Sequence, residues 1–117
     1  MDDVAQEFRK SRLDLLGFFA SPHEQRAFAS RVPYGDYATE FHAWWFDDFH
    51  PESELFRGSF NDAEIELLQT FSHSWSGTLD AVEQSQGSIE RLLGSSGWRL
   101  VVAAAQQAKA SIPAAAA

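Results

Sequence analysis

Four bulky aromatic residues recur at every fourth position in one stretch of the chain: Tyr37, Phe41, Trp45 and Phe49. At about 100° per residue they share one stripe of a helix, with Trp44 on its border. A stripe of that bulk must be buried against apolar faces on other helices. The chain supplies them. Ile65, Leu68, Phe71, Trp75, Leu79 and Val82 form a second stripe, and Val4, Phe8, Leu15 and Phe19 a third. The expected core includes Phe8, Leu15, Phe41, Trp45, Leu68, Trp75 and Leu79.

Helix boundaries follow from capping residues. The first helix is read from about Asp3 to Phe19. Ser21-Pro22-His23-Glu24 places a serine at the N-cap, proline at the first helical position and glutamate three residues after the cap, opening a helix to about Arg31 before Pro33. Asp36 to about Phe49 is the third, ended by His50-Pro51. Pro51 to Phe60 reads as a loop, and Asn61 with Glu64 makes a capping box for the longest helix, Asp62 to Gln86. A short Ile89–Leu93 helix follows, then a Gly94-Ser95-Ser96-Gly97 turn. Trp98–Val102 is β-prone, but the Ala-, Gln- and Lys-rich run behind it favours helix to about Ser111. The expectation is an all-α, compact single-domain bundle of five or six helices over residues 1–112, with 113–117 a frayed tail.

Charge is segregated along this framework. Between Pro33 and Glu90 lie 12 of the 17 carboxylates and a single basic residue, Arg57. Asp36, Glu40 and Asp47 fall within about 40° of one another on the helix that carries the aromatic stripe. Concentrated like charge lowers the stability of a compact state, so its retention favours a cationic partner. A net charge of −8 argues against nucleic acid and anionic membranes as ligands. The absence of cysteine excludes disulfides and thiolate metal sites. No basic-then-apolar run of signal type stands near Met1, and no apolar run spans a bilayer, so a soluble, cytoplasmic protein is expected.

Catalytic signatures are missing: there is no phosphate-cradling glycine loop, no Gly-x-Ser-x-Gly, no His-Glu-x-x-His and no Glu-x-x-His. Asp47 to His50 is the one Asp-x-x-His, and with Asp48 and Glu52 it could ligate a metal. A helix C-terminus is the plainer role for His50. No enzyme activity, metal or organic cofactor is expected.

The run Tyr37-x-x-x-Phe41-x-x-Trp44-Trp45-x-Asp47-Asp48-x-His50-Pro51, continued by Phe56, Phe60, Asn61, Glu64, Leu68 and Phe71, resembles small helical immunity proteins of bacterial contact-dependent inhibition and related polymorphic toxin systems. The likeness covers roughly Tyr34 to Leu79. It implies a cytoplasmic inhibitor that blocks the active site of one cognate toxin domain, often a nuclease with a basic cleft. On that reading Asp36, Glu40, Asp47, Asp48, Glu52 and Glu54 contact the basic partner, and Trp44 serves as an aromatic anchor. Two alternatives stand beside it. One is a helical homodimer joined through exposed aromatics, and the other a small metal-dependent enzyme built around His42 and His50.

Overall fold

The computed structural model describes residues 2–33, 35–76 and 88–114. Every element among them is helical: α1 (Asp3–Phe19), α2 (Pro22–Arg31), α3 (Tyr37–Phe46), α4 (Glu54–Ser59), α5 (Asp62–Ser76), α6 (Ile89–Gly94) and α7 (Ser96–Ser111). That is seven helices among the described residues, against the five or six expected. The extra one is α4, expected to be loop. It has only six residues, too few to show an apolar period, and Pro51 and Gly58 flank or interrupt it. Ser53 nevertheless opens it, its Oγ accepting from the Phe56 N–H at 3.2 Å.

The same device opens all seven helices. Asp2 caps α1, Ser21 α2, Asp36 α3, Ser88 α6 and Ser95 α7, each accepting the N–H three residues on. At α5 the capping box is complete: Asn61 Oδ1 accepts from the Glu64 N–H at 2.8 Å, and Glu64 Oε1 accepts from the Asn61 N–H at 3.0 Å. Such caps contribute about 1 kcal/mol each and fix where helices start. Ser95 shows why the expected turn is shorter: Ser96 and Gly97 already belong to α7. Trp98–Val102 is helical, as favoured over strand.

α1 is the hub, packing against α2, α4 and α7, while α5 lies along α7 and α6 bridges α2 to α7. α3 meets α1 through rings: Phe18–Phe41 at 5.1 Å and Phe19–Trp45 at 6.3 Å between centroids. Trp45, Trp75, Trp98, Phe19, Phe41, Phe56 and Phe71 are all fully buried. Of the expected core, Phe41, Trp45, Leu68 and Trp75 are buried, and Phe8 and Leu15 are half-buried. Leu79 lies outside the described residues, as do Val82 and the expected continuation of the α5 helix to Gln86. Val4 was expected on the α1 stripe but is 66% exposed.

Gln25 shows how a buried polar side chain is matched. It is inaccessible to solvent, and its Nε2 donates to the Phe18 and Phe19 carbonyls at 3.0 Å, closing the end of α1. Its Oε1 accepts from Trp98 Nε1 at 2.9 Å. The chain is held as far as Pro113, whose carbonyl accepts from Arg9 at 2.7 Å. No helix among the described residues is long and apolar enough to cross a membrane.

Candidate functional site

The acids expected to form one ridge separate into two groups. Asp36 and Glu40 sit at the N-terminal end of α3. Asp36 is committed to capping, its Oδ2 accepting from Thr39 Oγ1 at 2.8 Å and its Oδ1 from the Thr39 N–H. Glu40 is half-buried beside Gly35. Asp47 lies at the other end of the helix, about 16 Å along the axis. There the helix stops at Phe46, three residues before the expected Phe49. His50 precedes a proline and is biased away from helical geometry, and the Phe49 N–H closes a turn on the Phe46 carbonyl at 3.2 Å. Leaving the helix frees Asp48 from the aromatic stripe. Asp47, Asp48, Glu52 and Glu54 are all exposed along this one segment.

Trp44 is half-buried, its ring packed on Phe28 at 4.9 Å, Phe41 at 5.1 Å and Phe18 at 5.6 Å. It forms part of the wall between α1, α2 and α3.

Two arginines change the electrostatic picture. Arg57 was expected to be the only base near the acidic block, but Arg9 and Arg12 reach it from α1. Both are almost fully buried. Arg9 pairs with both Glu64 oxygens at 2.8 Å, donates to the Ser59 carbonyl at 2.9 Å, and lies 5.1 Å from the Phe60 ring centre. Hydrogen bonding to Arg9 holds the Glu64 carboxyl below the usual carboxylate range, against the opposing effect of burial. Glu64 is therefore a structural acid and leaves the surface inventory.

Arg12 stacks 4.2 Å from the Trp45 ring centre and donates to the Trp45 and Trp44 carbonyls at 2.6 and 3.3 Å. It satisfies the C-terminal end of α3, where a cation is favoured by the helix dipole. Burial lowers its pKa to about 10, with Asp48 nearby acting in the opposite direction. It stays charged at neutral pH. The signal for both residues was present in the spacing. Ala5, Arg9, Arg12, Leu16 and Phe19 follow a helical stripe and are all buried.

Beside the exposed acids runs an open groove of about 490 Å³. Phe49 and Pro51 form one wall, and Glu66, Gln69, Thr70 and His73 of α5 the other, with Ser72 between them. Among the described residues no lysine or arginine lines it. Phe49 stacks on Trp45 at 5.6 Å and 24°. Trp45 in turn donates through Nε1 to Ser72 Oγ at 2.9 Å, so the wall and floor are held by the core.

The two histidines of the metal alternative are otherwise engaged. His42 stacks on Phe46 at 4.3 Å, and His50 Nε2 lies 3.0 Å from the Asp47 carbonyl oxygen. Among the described residues, no three His, Asp or Glu side chains converge in a way that could hold an ion. Comparison with protein-family models, curated proteins and solved structures gives no match.

Proposed function

We propose that this chain is a protein-binding module whose acidic segment docks onto a basic protein, in the manner of an immunity protein occluding the basic cleft of a nuclease-type toxin domain. The observation that carries the reading is the state of Asp47, Asp48, Glu52 and Glu54. All four are exposed on one short segment, and among the described residues none forms an ion pair. Two exposed acids elsewhere do, Asp14 with Lys10 at 2.8 Å and Glu90 with Arg26 at 2.9 Å, whereas others such as Asp3 and Glu7 do not; it is the clustering of four on one segment that stands out. A cationic surface would supply the missing partners and accelerate encounter. Asp36 and Glu40 then lie at the far end of α3, toward the edge of the contact.

Reversing two charges tests this. Asp47→Lys with Glu52→Lys should leave folding within about 0.5 kcal/mol, since both residues are exposed. Titrated against the protein encoded by the neighbouring gene, the double variant should bind at least about tenfold more weakly than the parent, on the order of 1.4 kcal/mol. Equal affinity for the two proteins would reduce the acidic segment to a solvated face. A concentration-dependent dimer that loses its acids into a self-contact would instead favour the homodimer.

A further inference from the structure

The groove beside the acidic segment has features suited to one kind of side chain. Glu66, Gln69, Thr70 and His73 are spaced three and four residues apart, so they form one outward row along α5. The Thr70 hydroxyl donates to the Glu66 carbonyl at 3.0 Å, leaving its oxygen lone pairs to accept from an incoming donor. Glu66 forms no ion pair among the described residues. Facing this acceptor row is the half-buried Phe49, whose ring is already fixed in place by stacking on Trp45. A volume of about 490 Å³ exceeds one side chain and accommodates the flanking backbone as well.

We infer that the groove between Phe49 and the Glu66–His73 row of α5 receives an arginine side chain from an extended segment of the basic partner. The inference rests on the binding reading above. The chemistry selects arginine. A planar guanidinium stacks on an aromatic ring while its edge donates to a carboxylate, and a lysine ammonium does the second better than the first. The exposed Asp47, Asp48 and Glu52 on the same segment add attraction for a cation, and among the described residues no lysine or arginine in the lining opposes it.

The test is a nitrogen-15 NMR titration of the folded protein with an acetylated Gly-Arg-Gly amide and with its citrulline counterpart, which keeps the shape and loses the charge. The arginine peptide should shift the amides of Phe49, Gln69, Thr70 and His73 saturably. The citrulline peptide and the Glu66→Gln variant should each weaken binding by about fivefold or more. Thr70→Trp, an exposed substitution that fills the groove, should abolish the effect while circular dichroism stays unchanged. Shifts scattered over acids on other faces, such as Asp2, Asp14 and Glu24, would overturn the inference. So would an unaltered Glu66→Gln response, or the same signals moving on dilution without peptide, which would place a second copy in the groove. The two readings fail separately. If Asp47→Lys with Glu52→Lys weakens the partner complex and Thr70→Trp does not, the acidic docking surface stands and the groove inference falls. If neither variant weakens the complex, both fall.

Discussion

Replacing Arg9 by Met is expected to destabilise the protein by about 3–5 kcal/mol, a large share of the roughly 5–15 kcal/mol that holds a domain folded. The substitution leaves the Glu64 carboxylate buried with only the Asn61 N–H as a donor, and it strips the Ser59 and Pro113 carbonyls of theirs. Arg9→Met with Glu64→Gln should recover about 2 kcal/mol or more, because a neutral amide can keep the capping-box hydrogen bond without a buried charge. The pair also makes stability pH-dependent. Glu64 ionises at lower pH in the folded state than in the unfolded chain. Its contribution is therefore complete above the ordinary glutamate pKa and is lost as pH falls through the folded value. Urea midpoints at neutral and acid pH should diverge more for the parent than for the double variant. A loss under about 1 kcal/mol in Arg9→Met would show that the pair is a surface-type bridge.

Trp45→Ala is expected to cost a similar 3–5 kcal/mol. Its indole is fully buried against Phe71 at 5.1 Å, Phe49 at 5.6 Å and Phe19 at 6.3 Å. Truncation opens a cavity, removes the ring under the Arg12 guanidinium, and leaves Ser72 Oγ without the indole donor. It also frees Phe49, so the groove should lose its aromatic wall. Trp45→Phe should be milder, keeping most of the packing and forfeiting about 1 kcal/mol of hydrogen bonding. Thermal melting checks both. A melting point within a degree or two of the parent for Trp45→Ala would mean that Trp45 is not part of the core.

Much of this architecture was legible from capping chemistry. Ser21-Pro22 and the Asn61–Glu64 box marked helix starts that the structure reproduces, because a side-chain acceptor at the N-cap is a local requirement that packing seldom overrides. Two kinds of feature escaped. Short elements did, since α4 has only six residues and no room for a period. Buried charge did too. Arg9 and Arg12 did not figure in the expected core, although they share a helical stripe with Ala5, Leu16 and Phe19 and are buried with them. Asp36 was read as a binding residue and overlooked as a cap. The acids after α3 were legible as a charge cluster, but the helix was read on to about Phe49, past Asp47 and Asp48, whereas it stops at Phe46. Their neighbour across the groove, the Glu66–His73 row, was not singled out from the sequence. Its relation to Phe49 is made by the fold.

On the binding reading proposed above, the acidic segment serves to meet a cationic protein. It is tested by the association rate with the protein encoded by the neighbouring gene, measured by stopped flow at low and at physiological salt. The parent rate should fall steeply as salt rises, while Asp47→Lys with Glu52→Lys should start lower and change little. Equal rates and equal salt slopes for the two proteins would contradict the claim.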